Sequence, residues 1–265
     1  MRGDLAFAGL PGVVYTPAVG KNLPGVAFGH DWITSADRYH GTLEHLASWG
    51  IVAAAPNTET GLAPSVLTLA YDLGTTLDII AGVRLGTGDI SVHPGKLSVA
   101  GHGFGASAAV FAAAGMSAKP RAVFAAYPLV TKPSAEEPAA GLSVPGLILT
   151  DPGDPMTLRS NAVELARAWK AATLRPTSKT KAGGLVEGRR LAPVVGLPGA
   201  DKGTQKIVRA LMTGYLLHML TGDRNNQDYK DFADPEVELP KAPVMDPFAD
   251  DPVDLENKVV ALLKP

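Results

Sequence analysis

The chain lacks cysteine altogether, which rules out disulfides, thiolate nucleophiles and cysteine-ligated metals. It has no apolar run long enough to cross a bilayer, and Met1 to Leu10 do not read as a secretory leader. A cytoplasmic protein without a membrane span is the expectation. Basic blocks are missing as well: Arg189-Arg190 and the spaced Lys179 and Lys181 are too sparse to form a nucleic-acid footprint, and the formal net charge is -2. Aromatic residues are scarce, at 6% of the chain against 46% hydrophobic, so the core is expected to consist of small aliphatic side chains. No histidine spacing supports a metal site. His40 and His45 are too far apart to pair across one helical turn, and no spacing supports a site built from His30, Asp31 and others. No cofactor is expected.

What is present is an alternation of short apolar runs with longer segments of helical period over 265 residues. This is the pattern of an α/β domain, a mainly parallel, doubly wound sheet with helices on both faces. The runs read as strands are Val13–Thr16, Gly25–Gly29, Ile51–Ala55, Lys96–Gly101, Ala122–Tyr127, Val144–Thr150 and Leu191–Leu197. Helices are expected over Asp37–Trp49, Pro64–Leu85, Gly105–Met116, Thr157–Ala171 and Gly203–Thr221, with Asp37 and Pro64 at starts and Gly50 at an end. Leu174–Gly188 is polar and Lys-containing and reads as a surface loop. A composition change after Thr221 divides the chain into a domain over 1–222 and an acidic, Pro-rich arm over 223–265 packed on it, closing with a short helix at Asp254–Leu263.

The most informative stretch is Lys96 to Ala109, KLSVAGHGFGASAA. An apolar strand runs into Gly101-His102-Gly103-Phe104-Gly105 and then into a helix of small residues, the context of a nucleophile elbow, G-x-S-x-G. Its central position is Gly103. A dinucleotide loop fits poorly, because the stretch lies far from the first strand and Ala106 stands where the third glycine belongs.

With GVAFGHDW, YHGTLEHLASWGIVAAAPNTET, VHPGKLSVAGHGFGASAA, VPGLILTDPGDP and LLHMLTGDRNNQDYKDFADP in that order, the chain resembles the α/β-hydrolase superfamily. The likeness is to bacterial cutinase-like and polyester hydrolases and the dienelactone-hydrolase and chlorophyllase-like branch, and it extends from Gly25 to about Asp234. It implies the α/β-hydrolase fold and an acyl-transfer site with a nucleophile, a base, an orienting acid and an oxyanion hole. By that resemblance the nucleophile position is Gly103, the acid is Asp154 with Asp151 as a shifted alternative, and the base position is Lys202 in Gly199-Ala200-Asp201-Lys202. Gly103 has no side chain to attack with. His218, the one histidine after His102, lies in an apolar helix and reads as packing.

The resemblance also places oxyanion donors at the amides of Phe104 and His30, with Trp32 as an apolar wall and His102 beside the nucleophile position. Phe104 opens a helix, whose N-terminus favours negative charge. The expectation is a pseudoenzyme with a degenerate triad, one that binds a partner protein or a small acyl or carboxylate ligand. The alternative is an ester or lactone hydrolase with another catalytic set, drawn from Lys202, Ser107 and Thr34. A structural subunit with a filled pocket is the third reading.

Overall fold

Short apolar runs bounded by turn residues are too brief for stable helices, and they become strands wherever neighbours complete their hydrogen bonds. The computed structural model describes residues 1–151, 160–188, 199–221 and 229–248. Among them are eight strands: β1 (Arg2–Asp4), β2 (Gly12–Tyr15), β3 (Gly20–Gly29), β4 (Val52–Pro56), β5 (Ile90–His102), β6 (Val123–Ala126), β7 (Gly146–Thr150) and β8 (Ala172–Pro176). They form one sheet in the order β1-β2-β4-β3-β5-β6-β7-β8. β1 and β2 are antiparallel to their neighbours, and every pairing from β4 to β8 is parallel.

The helices are α1 (His40–Ser48), α2 (Val66–Gly82), α3 (Phe104–Gly115), α4 (Glu136–Ala140), α5 (Ala162–Ala168), α6 (Lys202–Thr221) and α7 (Lys230–Ala233). Both faces of the sheet are covered. Successive side chains of a strand point to opposite faces, and this sorts the core into two layers. Ala27, Val99, Val123 and Ile148 pack with Leu69 and Leu73 of α2, Val110 of α3 and Leu165 of α5. Val26, Phe28, Phe124 and Leu149 pack with Leu43 and Leu46 of α1 and Val208, Met212 and Leu216 of α6. All are fully buried, so truncating any of the large ones to alanine costs about 2–5 kcal/mol. The scarcity of aromatics has a geometric counterpart where α3 meets the sheet. A Cβ on Gly105 would lie 2.2 Å from the carbonyl carbon of Gly29, and one on Gly101 would lie 2.1 Å from the carbonyl oxygen of Gly105. Glycine at these points lets the start of α3 rest directly on β3 and β5.

Most expected elements appear with shifted ends. α2 begins after Ser65, whose hydroxyl accepts the Thr68 amide at 3.2 Å, as an N-cap does. The expected strand Leu191–Leu197 lies outside the described residues, and so do the start of the Thr157–Ala171 helix and Asp254–Leu263.

One expectation is overturned. Leu174–Gly188 is not a surface loop: its first three residues belong to β8, and Arg175, Leu174, Thr177, Leu185, Val186 and Glu187 are all buried. Its polar character misleads because internal partners satisfy it. Arg175 donates to the carbonyls of Asp234 at 2.7 Å, Ala242 at 2.8 Å and Val237 at 2.9 Å. Desolvation pushes this guanidinium's pKa down, while Glu238 and Asp234 act in the opposite direction. The same contacts hold 234–242 against the sheet. The amide of Met245 adds a bond to Leu174 O at 2.8 Å. Among the described residues, no helix is long and apolar enough to cross a membrane.

Candidate functional site

At the C-terminal end of β5 the chain turns through Gly103, at φ 57 and ψ -117, and enters α3. Positive φ is a conformation glycine adopts without steric cost. The turn is held by the Gly103 amide donating to Ala126 O at 2.9 Å and the Gly103 carbonyl accepting from Ala106 N at 3.1 Å. The strand-turn-helix geometry expected from KLSVAGHGFGASAA is therefore present.

What occupies the space above Gly103 is not an open hole. A Cβ at this position would lie 2.0 Å from Oδ1 of Asp31, well inside van der Waals contact. The same oxygen accepts the amide of Phe104 at 3.1 Å and that of Trp32 at 2.7 Å. A carboxylate of the chain itself thus sits at the N-terminus of α3, where the unpaired amide and the helix dipole favour an anion. The oxyanion donor expected at Phe104 is already engaged.

The backbone beneath Asp31 is fixed in turn. Its amide donates to the hydroxyl of Tyr39 at 3.1 Å, and that hydroxyl lies 2.8 Å from Nδ1 of His102. Nε2 of His102 faces Ala182 O at 2.7 Å. Since a carbonyl only accepts, Nε2 carries the proton in the neutral ring, and Tyr39 donates to Nδ1. The series from the Asp31 amide through Tyr39 and His102 to Ala182 joins the β3 loop, the elbow and the segment before α6. His30 is fully buried, with Nδ1 2.9 Å from Asp31 O and Nε2 2.7 Å from Thr58 O. Its ring braces the loop.

Strain gathers here too. Ile33, two residues past Asp31, has φ 50, and Tyr127, beside His102, has φ 51. A β-branched residue at positive φ is costly, of order 1–3 kcal/mol. Surrounding contacts must hold it in place.

Beside the elbow is a cleft of about 540 Å³ lined by Trp32, Pro64, Phe104, Leu129, Val130, Thr131 and Lys132. Of the expected ligand-contacting residues, Trp32 and Phe104 line it. His30 and His102 lie beneath and do not. Trp32 is tethered by its indole N–H to Leu62 O at 3.1 Å.

Of the other triad positions, Lys202 does not converge on Gly103. Asp154 lies outside the described residues. Asp151, at the end of β7, is buried and accepts from Thr180 Oγ1 at 3.0 Å. Thr180 meets Thr177 at 2.7 Å, and Thr177 meets the Tyr127 hydroxyl at 3.0 Å. Lys202 is the exposed first residue of α6 and opens into a different concavity, together with His45 and Trp49. Asp201 before it is the N-cap of α6, accepting the Thr204 amide at 2.6 Å and the Thr204 hydroxyl at 2.7 Å. Those two bonds hold the Asp201 carboxyl below its usual pKa.

Ser107 is fully buried and donates to Leu129 O at 2.6 Å. Thr34 is buried as well, and neither hydroxyl lines the cleft. Among the described residues no group of three His, Asp or Glu side chains could hold a metal ion. Asp31, weighed in the sequence only as a metal ligand, and Tyr39 are the residues whose place at the elbow sequence reasoning did not foresee. The one available signal was an acidic residue next to His30, in the loop expected to face a side-chain-free elbow. No protein-family model matches the chain, and no curated protein is significantly similar to it.

Proposed function

We propose that the chain is an α/β-hydrolase-fold protein that has given up serine acyl transfer and acts by binding. The observation that carries this reading is Asp31 Oδ1, which stands 2.0 Å from where a side chain at position 103 would begin and takes the Phe104 amide. Acyl transfer needs a nucleophile at the elbow and a free donor for the developing oxyanion. Here the first is absent, and of the two expected donors the Phe104 amide is bonded internally. A substrate carbonyl entering the elbow would have to displace a carboxylate held by two amides.

The fold assignment draws support from a mostly parallel sheet wrapped on both faces and from the β5-elbow-α3 turn at its centre. The adjoining cleft, walled by Trp32, Leu129 and Val130, suits an apolar, uncharged group of a ligand or partner protein. The rival reading, an ester or lactone hydrolase with a relocated catalytic set, draws no support from Ser107 or Lys202, since neither reaches the cleft.

The test is hydrolysis of p-nitrophenyl acetate and butyrate by the purified full chain, beside Asp31→Ala and Ser107→Ala. The expected outcome is a rate no greater than that of buffer for all three proteins. Turnover by the wild type at enzymic rates overturns the binding reading, and its loss in Ser107→Ala would assign the relocated set.

A further inference from the structure

We propose that the groove between α1, α6 and α7 is a binding site for a small amphiphilic anion, a carboxylate head on an aromatic or alkyl body. The groove measures about 600 Å³, within the range of small-ligand sites. One face of α6 forms its floor: Lys202, Lys206, Arg209 and Thr213 recur at helical spacing. The last residues of α1 and the aromatic side chains around α7 form its walls.

Charge is the first argument. The protein's formal net charge is -2, yet among the described residues the groove's lining includes Lys202, Lys206 and Arg209 and no carboxylate. Arg209 is already committed, its guanidinium reaching Glu187 Oε1 at 2.7 Å and Thr42 Oγ1 at 3.1 Å. Lys202 and Lys206 enter no ion pair among the described residues. His45 contributes little positive charge, because burial, then the nearby Arg209, lowers its pKa.

The second argument is the opposite end. Trp49, 48% exposed, meets Tyr229 edge-on at 6.3 Å, and Tyr229 meets Phe232 at 6.3 Å. Phe232 lies flush with the helix because Gly214 has no side chain; a Cβ there would be 2.5 Å from its ring. The groove is therefore cationic at one end and aromatic at the other. From Lys202 to Thr213 the helix rises about 16 Å, room for an extended amphiphile.

The third is a polar group without a partner. Thr213 lines the groove, is 4% exposed, and its Oγ1 makes no hydrogen bond. A buried hydroxyl left unpaired is unfavourable, and a polar atom of a ligand lying along α6 would relieve it.

The experiment is calorimetric titration of the full chain with 4-phenylbutyrate and, in parallel, its uncharged amide. The acid is expected to bind saturably and about tenfold more tightly than the amide. Lys202→Gln/Lys206→Gln, at exposed positions that leave the fold intact, is expected to weaken the acid about tenfold and leave the amide unchanged. Trp49→Ala is expected to weaken both ligands, and Trp32→Ala, in the elbow cleft, neither. Absence of saturable binding of the acid at millimolar concentration overturns the proposal. So does binding that the double lysine variant leaves intact, or binding that Trp32→Ala removes, which would move the ligand to the elbow.

Discussion

The elbow and the α1–α6–α7 groove are both concave, yet they treat their polar groups in opposite ways. At the elbow the helix N-terminus has its anion in Asp31, the Asp31 amide has Tyr39, and both nitrogens of His102 face oxygen partners. In the groove, among the described residues, two lysines have no carboxylate partner and a buried threonine hydroxyl is unbonded. Internal satisfaction gives rigidity and leaves little polar chemistry for a ligand. Incomplete satisfaction costs stability and leaves binding free energy to be gained. In this molecule the turn from β5 into α3 is the closed region, and the α1–α6–α7 groove is the open one.

The sharpest way to break this contrast is Gly103→Ser. The new Cβ would stand 2.0 Å from Asp31 Oδ1 at a residue held at φ 57. A loss of about 3 kcal/mol or more in urea unfolding is expected, and Asp31→Ala in the same chain should recover much of it. A neutral Gly103→Ser would mean that Asp31 does not close the elbow.

Next in size is Tyr39→Phe, which removes the hydroxyl linking the Asp31 amide to His102 Nδ1. Loss of two buried hydrogen bonds should cost about 2 kcal/mol, read as a lower urea midpoint at unchanged slope. No change would show that the loop carrying Asp31 is held by other contacts.

The smallest effect belongs to the groove side. Asp201→Ala removes the cap of α6 and should cost about 1 kcal/mol at neutral pH. Its pH dependence carries a definite sign. The Asp201 carboxyl is held below the ordinary value of 3.8 by its bonds to Thr204. Its contribution is therefore complete above that value and lost as pH falls through the folded-state pKa. The wild-type and Asp201→Ala stability curves should accordingly converge in acid, and parallel curves would remove the capping assignment.

Much of the framework was legible because it depends on local rules. Alternating apolar runs marked six of the eight strands, and glycine spacing marked the β5-elbow-α3 turn, since a tight turn and close helix-sheet contact both demand residues without side chains. β8 was not legible. Arg175 and the threonines around it read as surface because nothing local says that the carbonyls of Asp234, Val237 and Ala242 will come to meet that guanidinium.

At the site the division is the same. That position 103 has no nucleophile is a fact of the sequence alone, and no fold can alter it. That Asp31 fills the vacancy was decided by tertiary structure, because the contact joins residues 73 apart in the chain (Phe104 N to Asp31 Oδ1) and depends on where β3 ends relative to β5. The direction of Lys202 is likewise set by the capped start and phase of α6, which turn it into a groove away from the elbow. Local sequence specifies which groups exist and which turns are allowed. Only packing decides which of those groups meet, because hydrogen bonds and charges act over a few ångströms while the chain separates their partners by tens of residues.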